Sequence, residues 1–101
     1  MSLNINKTQN AMQTTVALSG RLDTTTAPEL EKELRALLPE TNVLALDFAA
    51  LDYISSAGLR VLLVAQKEMN KKNGQMTLTH VNATVMEVLE VTGFTDILTI
   101  A

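Results

Sequence analysis

The chain has 101 residues, with 8 Lys and Arg against 11 Asp and Glu, so its formal net charge at pH 7 is −3. Apolar residues make up 47%, charged residues 19% and aromatics 3%, with no cysteine and one histidine, His80. One domain of this size holds a modest core. The counts exclude a disulfide framework, a thiolate catalyst, a zinc–thiolate site, a multi-histidine metal centre, and a protein that coats nucleic acid, which needs a basic surplus.

Met1 to Lys7 contains no apolar signal-peptide core. The longest nearly apolar run, Leu59 to Ala65, includes Arg60 and is far shorter than the ~20 residues of a membrane span. These features suggest a soluble cytoplasmic domain spanning residues 1–101, without a membrane segment. Leu3 and Ile5 alternate with polar neighbours, which predicts a strand to about Lys7. Gln9-Asn10 is a turn candidate. Met12, Thr14, Val16 and Leu18 then line one face of a second strand that returns as a hairpin and closes at Gly20.

Thr26-Ala27-Pro28-Glu29 reads as a helix start, with Thr26 as N-cap, Pro28 in the first turn and Glu29 completing a capping box. Leu30, Leu34, Leu37 and Leu38 make one apolar stripe, and Pro39 stops the helix. Val43 to Phe48 is almost continuously apolar, which suits a central strand covered on both faces. Ser55 or Ser56 starts a second helix running to about Lys72, with Leu59, Leu62, Leu63 and Met69 keeping the helical period, Val61, Val64 and Ala65 widening the apolar stripe, and Gly74 at its exit. A strand follows from about Gln75, with Met76, Leu78 and His80 alternating. A third helix covers Ala83 to Thr92, capped by Asn82, with Gly93 and Phe94 forming its exit. Ile97 to Ile100 is a short last strand. The order β-β-α-β-α-β-α-(β) predicts an α/β domain with a mixed four- to five-stranded sheet and helices packed on it.

Two stretches concentrate groups able to do chemistry. In Asp52-Tyr53-Ile54-Ser55-Ser56-Ala57-Gly58-Leu59-Arg60, two hydroxyls sit at a helix N-terminus, followed by two small residues that let another surface approach. One serine fills the cap position and leaves the other spare. In Gly20 to Leu30, Asp23 is placed to accept hydrogen bonds from turn amides. Arg60 interrupts an apolar helix face one turn after Ser56 and reads either as a solvated flank or as a contact for a partner or phosphate. Met69, Met76 and Met86 read as core filler. His80 has no acid/base partner near it in sequence, and Asp47 reads as a tie for the loop after the central strand. Phosphate-loop, dinucleotide and His-Glu-x-x-His signatures are missing.

Ile54-Ser55-Ser56-Ala57-Gly58-Leu59 after Leu44-Ala45-Leu46-Asp47-Phe48 resembles the signature of STAS domains, the family of sulfate transporters and anti-sigma factor antagonists. Gly20-x-Leu22-Asp23-x-x-x-Ala27-x-x-Leu30 is similar to that family's second motif, and Gly93-Phe94 to the turn after its last long helix. The resemblance runs the length of the chain and implies an anti-anti-sigma factor in a partner-switching system, not an enzyme, with no cofactor or metal. It implies three further things. The unphosphorylated protein binds an anti-sigma factor that is also a serine kinase. Phosphorylation at the start of the second helix releases that partner, and a serine phosphatase reverses the step. Counting back from Gly58 puts the acceptor on Ser56, with Ser55 as the alternative, since many members carry Asp where Ser55 stands. The implied partner surface comprises Asp23, Thr24, Ser55, Ser56, Ala57, Gly58 and Arg60, on a monomer or weak dimer.

Competing readings are a non-switching STAS scaffold subunit of a transport ATPase complex, a serine hydrolase using Ser56 and His80, and a nucleotide binder at the Asp23 loop. The hydrolase lacks a Gly-x-Ser-x-Gly elbow and a second, orienting histidine. The nucleotide binder lacks a glycine-rich phosphate cradle.

Overall fold

The computed structural model describes residues 2–10 and 12–101; Met1, part of the leader reading, lies outside the described residues. In chain order the elements are β1 (Leu3–Gln9), β2 (Thr14–Leu22), α1 (Ala27–Leu37), a 3₁₀ turn (Leu38–Glu40), β3 (Val43–Ile54) and α2 (Ser56–Lys71). β4 (Gln75–Thr79), α3 (Ala83–Val91), a second 3₁₀ turn (Phe94–Asp96) and β5 (Thr99–Ile100) follow. The five strands form one sheet in the order β1-β2-β3-β4-β5. β1 and β2 are antiparallel, and every later neighbour is parallel. Right-handed crossovers between parallel strands taken in sequence put every helix on the same side of the sheet.

Burial agrees with this one-sided arrangement. Val16, Leu18, Leu44, Leu46, Phe48 and Leu78 point into a single core that also receives Leu30 and Leu34 from α1, Leu62 and Met69 from α2, and Val85 and Leu89 from α3. The opposite face carries small and polar side chains. Thr15, Ala17, Val43, Asp47, Thr77 and Thr79 there are only half-buried. The sequence-based expectation that β3 is covered on both faces is therefore corrected. Its run looks continuously apolar because Ala45 stands on the open face, paired between Thr15 and Thr77, where a small side chain is shielded by its neighbours.

Several boundaries also differ from the sequence reading. β1 continues two residues past Lys7. β2 begins at Thr14 and not at Met12, which is 82% exposed, and it runs through Gly20 to Leu22. Gly20 does not close the strand. It adopts φ +103°, and a side chain there would run into the carbonyl oxygen of Ser2, so glycine permits both the left-handed backbone and the close approach.

β3 is 12 residues long, six beyond the expected end at Phe48. Its pairing with β2 slips by one residue between Ala17 and Ser19, and again between Gly20 and Arg21, so β3 carries two extra residues. Such bulges bend a strand and change which side chains face inward. Asp47, expected to tie down a loop, lies inside β3, and its carboxylate accepts the Ala49 amide at 2.9 Å beside the first slip.

α1 ends at Leu37, and Pro39 sits within the 3₁₀ turn that follows. Asn82 caps α3, its side-chain oxygen accepting the Val85 amide at 2.8 Å, and Gly93 takes the left-handed exit at φ +80°. Ile97 is exposed outside the last strand, which is only Thr99–Ile100. Met69 and Met76 are core residues as expected, while Met86 is half-buried. Among the described residues no helix is long and apolar enough to cross a membrane.

Candidate functional site

The candidate residues gather where β2 and β3 end and α1 and α2 begin. The two strand ends are locked together: the Ser55 amide donates to the Leu22 carbonyl at 2.9 Å. Strand register thereby fixes where α2 starts relative to the β2–α1 loop.

Within that loop Asp23 is the organising group. One carboxylate oxygen accepts the Thr25 hydroxyl at 2.8 Å, the Thr25 amide at 3.0 Å and the Thr26 amide at 3.1 Å. The other lies 3.6 Å from Arg21 Nε. The Thr25 hydroxyl, followed by the Thr26 and Thr25 amides, holds the Asp23 carboxyl down to about 2, against an ordinary 3.8. Thr26 stands at the N-cap position of α1, but its hydroxyl turns back into the loop, donating to the Arg21 carbonyl at 2.8 Å and accepting the Asp23 amide at 2.8 Å. The expected capping box with Glu29 does not form, since α1 has no side-chain cap bond. The Asp23 carbonyl instead accepts the Ala27 amide at 2.8 Å, and the Thr26 carbonyl accepts the Glu29 amide at 2.9 Å.

At the start of α2 the two serines divide. Ser55 is the N-cap, half-buried, its Oγ accepting the Gly58 amide at a long 3.4 Å. Ser56 is the first helical residue and is exposed. It stands on the positive end of a 16-residue helix, where an anion is favoured. Thr24, Ser56, Ala57 and Arg60 line a single hollow together with Ala27 and Pro28 of α1. Arg60 is exposed and forms no ion pair among the described residues.

Gly58 departs from the sequence reading of a residue that lets an outside surface approach. It is buried, and a Cβ built on it would lie 2.6 Å from Leu22 Cγ and 3.1 Å from Ile54 Cγ1. The glycine lets α2 settle against β2 and β3, so it supports the surface from beneath and does not form part of it.

Two further groupings were not readable from linear order. Arg21 stacks over the Tyr53 ring, 4.2 Å from its centroid, because the slipped register sets these residues opposite each other. The signal available in sequence was their position just before Leu22-Asp23 and Ile54-Ser55, and it required the register to be read. His80 does have an acidic neighbour: its Nδ1 lies 3.1 Å from Asp47 Oδ1. That pair sits at the ends of β3 and β4 pairing, apart from the hollow, and joins residues 33 positions apart in sequence.

Residues 2–101 match the STAS domain family, and the chain belongs to it. A Bordetella bronchiseptica protein named for an anti-sigma factor antagonist is 39% identical over 85 residues, covering 83% of this chain and 73% of its own. The anti-sigma-B factor antagonist of Bacillus subtilis is 27% identical over 101 residues, covering 100% of this chain and 93% of its own.

Among solved structures, an anti-sigma factor antagonist from Mycobacterium paratuberculosis superposes with a TM-score of 0.87 at 21% identity, over 97% of this chain and 84% of that one. The antagonist SpoIIAA matches in its unphosphorylated form (TM-score 0.77, 14% identity, 97% and 87% coverage). It also matches in its phosphorylated Bacillus form (TM-score 0.76, 16% identity, 97% and 91% coverage). The fold is thus shared with a protein solved in both states.

Proposed function

We propose that this protein is a cytoplasmic anti-sigma factor antagonist that works by partner switching. Unphosphorylated, it binds an anti-sigma factor with serine kinase activity and frees the sigma factor. Phosphorylated on Ser56, it lets that partner go, and a serine phosphatase restores the binding form. The observation that carries this reading is the division of labour at α2: Ser55 is occupied as the cap, while Ser56 is exposed at the helix's first position beside Thr24 and Arg60.

The physics of the site favours a local switch. A phosphoserine adds about −1.5 to −2 charges at pH 7. A helix N-terminus stabilises an anion by roughly 0.3–1 kcal/mol when exposed. The domain therefore keeps its fold, and the docked partner meets the new charge and bulk.

The test uses purified protein, the kinase-type anti-sigma factor from the same cell and ATP. Mass spectrometry should place one phosphate on Ser56. Ser56→Ala should bind the partner whether or not ATP is present. Ser56→Asp should bind at least tenfold more weakly while melting within a few degrees of the wild type. Absence of phosphate from both Ser55 and Ser56 would remove the switch and leave the scaffold reading. Unfolding of Ser56→Asp would contradict the local mechanism.

A further inference from the structure

The hollow beside Ser56 does not end there. It shares Glu31 and Val61 with a second depression of ≈ 330 Å³ between α1 and α2, floored by Leu34, Leu38, Val61 and Ala65. The two form one groove running from the start of α2 towards its far end. On α2, Ala57, Val61, Val64 and Glu68 recur at helical spacing along it. Val64 is 47% exposed, an apolar side chain left uncovered at mid-groove.

The charges along the rim are unequal in their freedom. Arg35 is held by Glu31 at 2.8 Å, and Glu68 by Lys71 at 3.2 Å. Lys72 is committed to the Leu38 carbonyl at 2.6 Å. Arg60 has no ion-pair partner among the described residues. It precedes Val64 by four positions, about 6 Å along the helix axis.

We infer that the partner's contact extends down this α1–α2 groove, with an amphipathic segment of the same anti-sigma factor as the occupant. The segment carries an apolar side chain onto the Leu34–Val61–Val64 surface and a carboxylate, about one helical turn away, onto Arg60. This rests on the partner-switching reading above and adds to it a second anchoring point remote from the phosphate. Continuity with the Ser56 hollow, and the match between one uncovered apolar residue and one uncompensated cation, are the arguments for this occupant. Fully desolvated apolar anchors next to a charged rim are the usual source of affinity at such interfaces.

Val64→Arg tests the inference without entering the core. Expected is at least a tenfold rise in Kd for the purified anti-sigma factor by calorimetry, with a melting temperature within a few degrees of wild type. Hydrogen exchange in residues 31–39 and 61–72 should slow when the wild type binds. Arg60→Glu should weaken binding similarly, and more so at low salt. If Val64→Arg binds like wild type and exchange in those segments is unchanged, while Ser56→Asp still weakens binding, the groove inference fails and the switch survives. If Val64→Arg alters only self-association by light scattering, the groove belongs to a second copy and the inference is overturned. If the wild type does not bind the anti-sigma factor at all, the functional reading itself falls.

Discussion

Gly58→Ala adds one methyl group where α2 crosses the ends of β2 and β3. The new carbon would sit 2.6 Å from Leu22 Cγ, 2.9 Å from Leu22 Cδ2 and 3.1 Å from Ile54 Cγ1. Apolar carbons rest at about 3.5–4.0 Å, so something has to move by roughly 1 Å. Leu22 is 0% exposed and Ile54 3%, which leaves neither a free direction. Overpacking a tight core costs about 1–3 kcal/mol, and two fully buried branched neighbours argue for the upper end. Alanine in place of glycine inside a helix returns about 1 kcal/mol. The net expected loss is about 2 kcal/mol, which for a domain of this length lowers Tm by roughly 9 °C.

Urea or thermal unfolding of the wild type, Gly58→Ala, Leu22→Ala and the double variant measures this directly. With Leu22 shortened, the clash with Cγ and Cδ2 is gone, so adding Gly58→Ala should then stabilise by about 1 kcal/mol through helix propensity alone. The cycle should show a coupling of about 2–3 kcal/mol between the two positions. A single variant that melts above the wild type, or a cost equal in both backgrounds, would refute the assignment of Gly58 to helix–strand packing.

Asp23 has its folded pKa lowered to about 2 from 3.8, so its contribution to stability is fully present above about pH 4 and is lost as pH falls through 2. The difference in urea midpoint between wild type and Asp23→Ala should therefore be constant at neutral pH and shrink between pH 4 and 2. Lys72→Met removes a donor from the Leu38 and Pro39 carbonyls at the end of α1 and should cost about 1 kcal/mol in chemical denaturation. Gln66 is 6% exposed with its side-chain oxygen unpartnered, its amide donating only to Asn70. Gln66→Met should raise stability by about 1 kcal/mol, because burying an unsatisfied acceptor costs more than that one bond returns.

Helix periodicity was strong enough in the sequence to place all three helices within a residue or two. The N-cap chemistry of Asn82 was equally local and legible. Strand β3 was legible only as far as its first slip. Up to Phe48 its inward residues recur every second position, at Leu44, Leu46 and Phe48; beyond it they fall at Leu51 and Ile54, three apart. That spacing is the mark of extra residues in a bulged strand, and read linearly it imitates the end of the strand. The same slips bring Arg21 opposite Tyr53, so the stack beside the site became readable only with the pairing. Ser56 and Ser55 could be told apart only by seeing which hydroxyl reaches the Gly58 amide. Likewise, Gly58 could have served an outside partner or an inside neighbour, and only the position of Leu22 decides between them.

The start of α2 is held by three contacts that do not involve Ser56. The Ser55 amide binds the Leu22 carbonyl, the Ser55 hydroxyl caps Gly58, and Gly58 packs under Leu22 and Ile54. The facing loop is held separately by Asp23 through Thr25 and Thr26. A group added to the Ser56 hydroxyl breaks none of these bonds, so little of its free energy can be spent on rearranging the domain. It has to act on whatever lies against Thr24, Ala57 and Arg60. Under the proposed switch, affinity for the partner should then change steeply with phosphorylation while Tm and amide exchange across β2, β3 and the α2 core face stay nearly constant. Matched measurements on the two forms that instead found exchange loosening around Leu22 and Leu62 would mean that the anchors yield, and that the signal travels through the core.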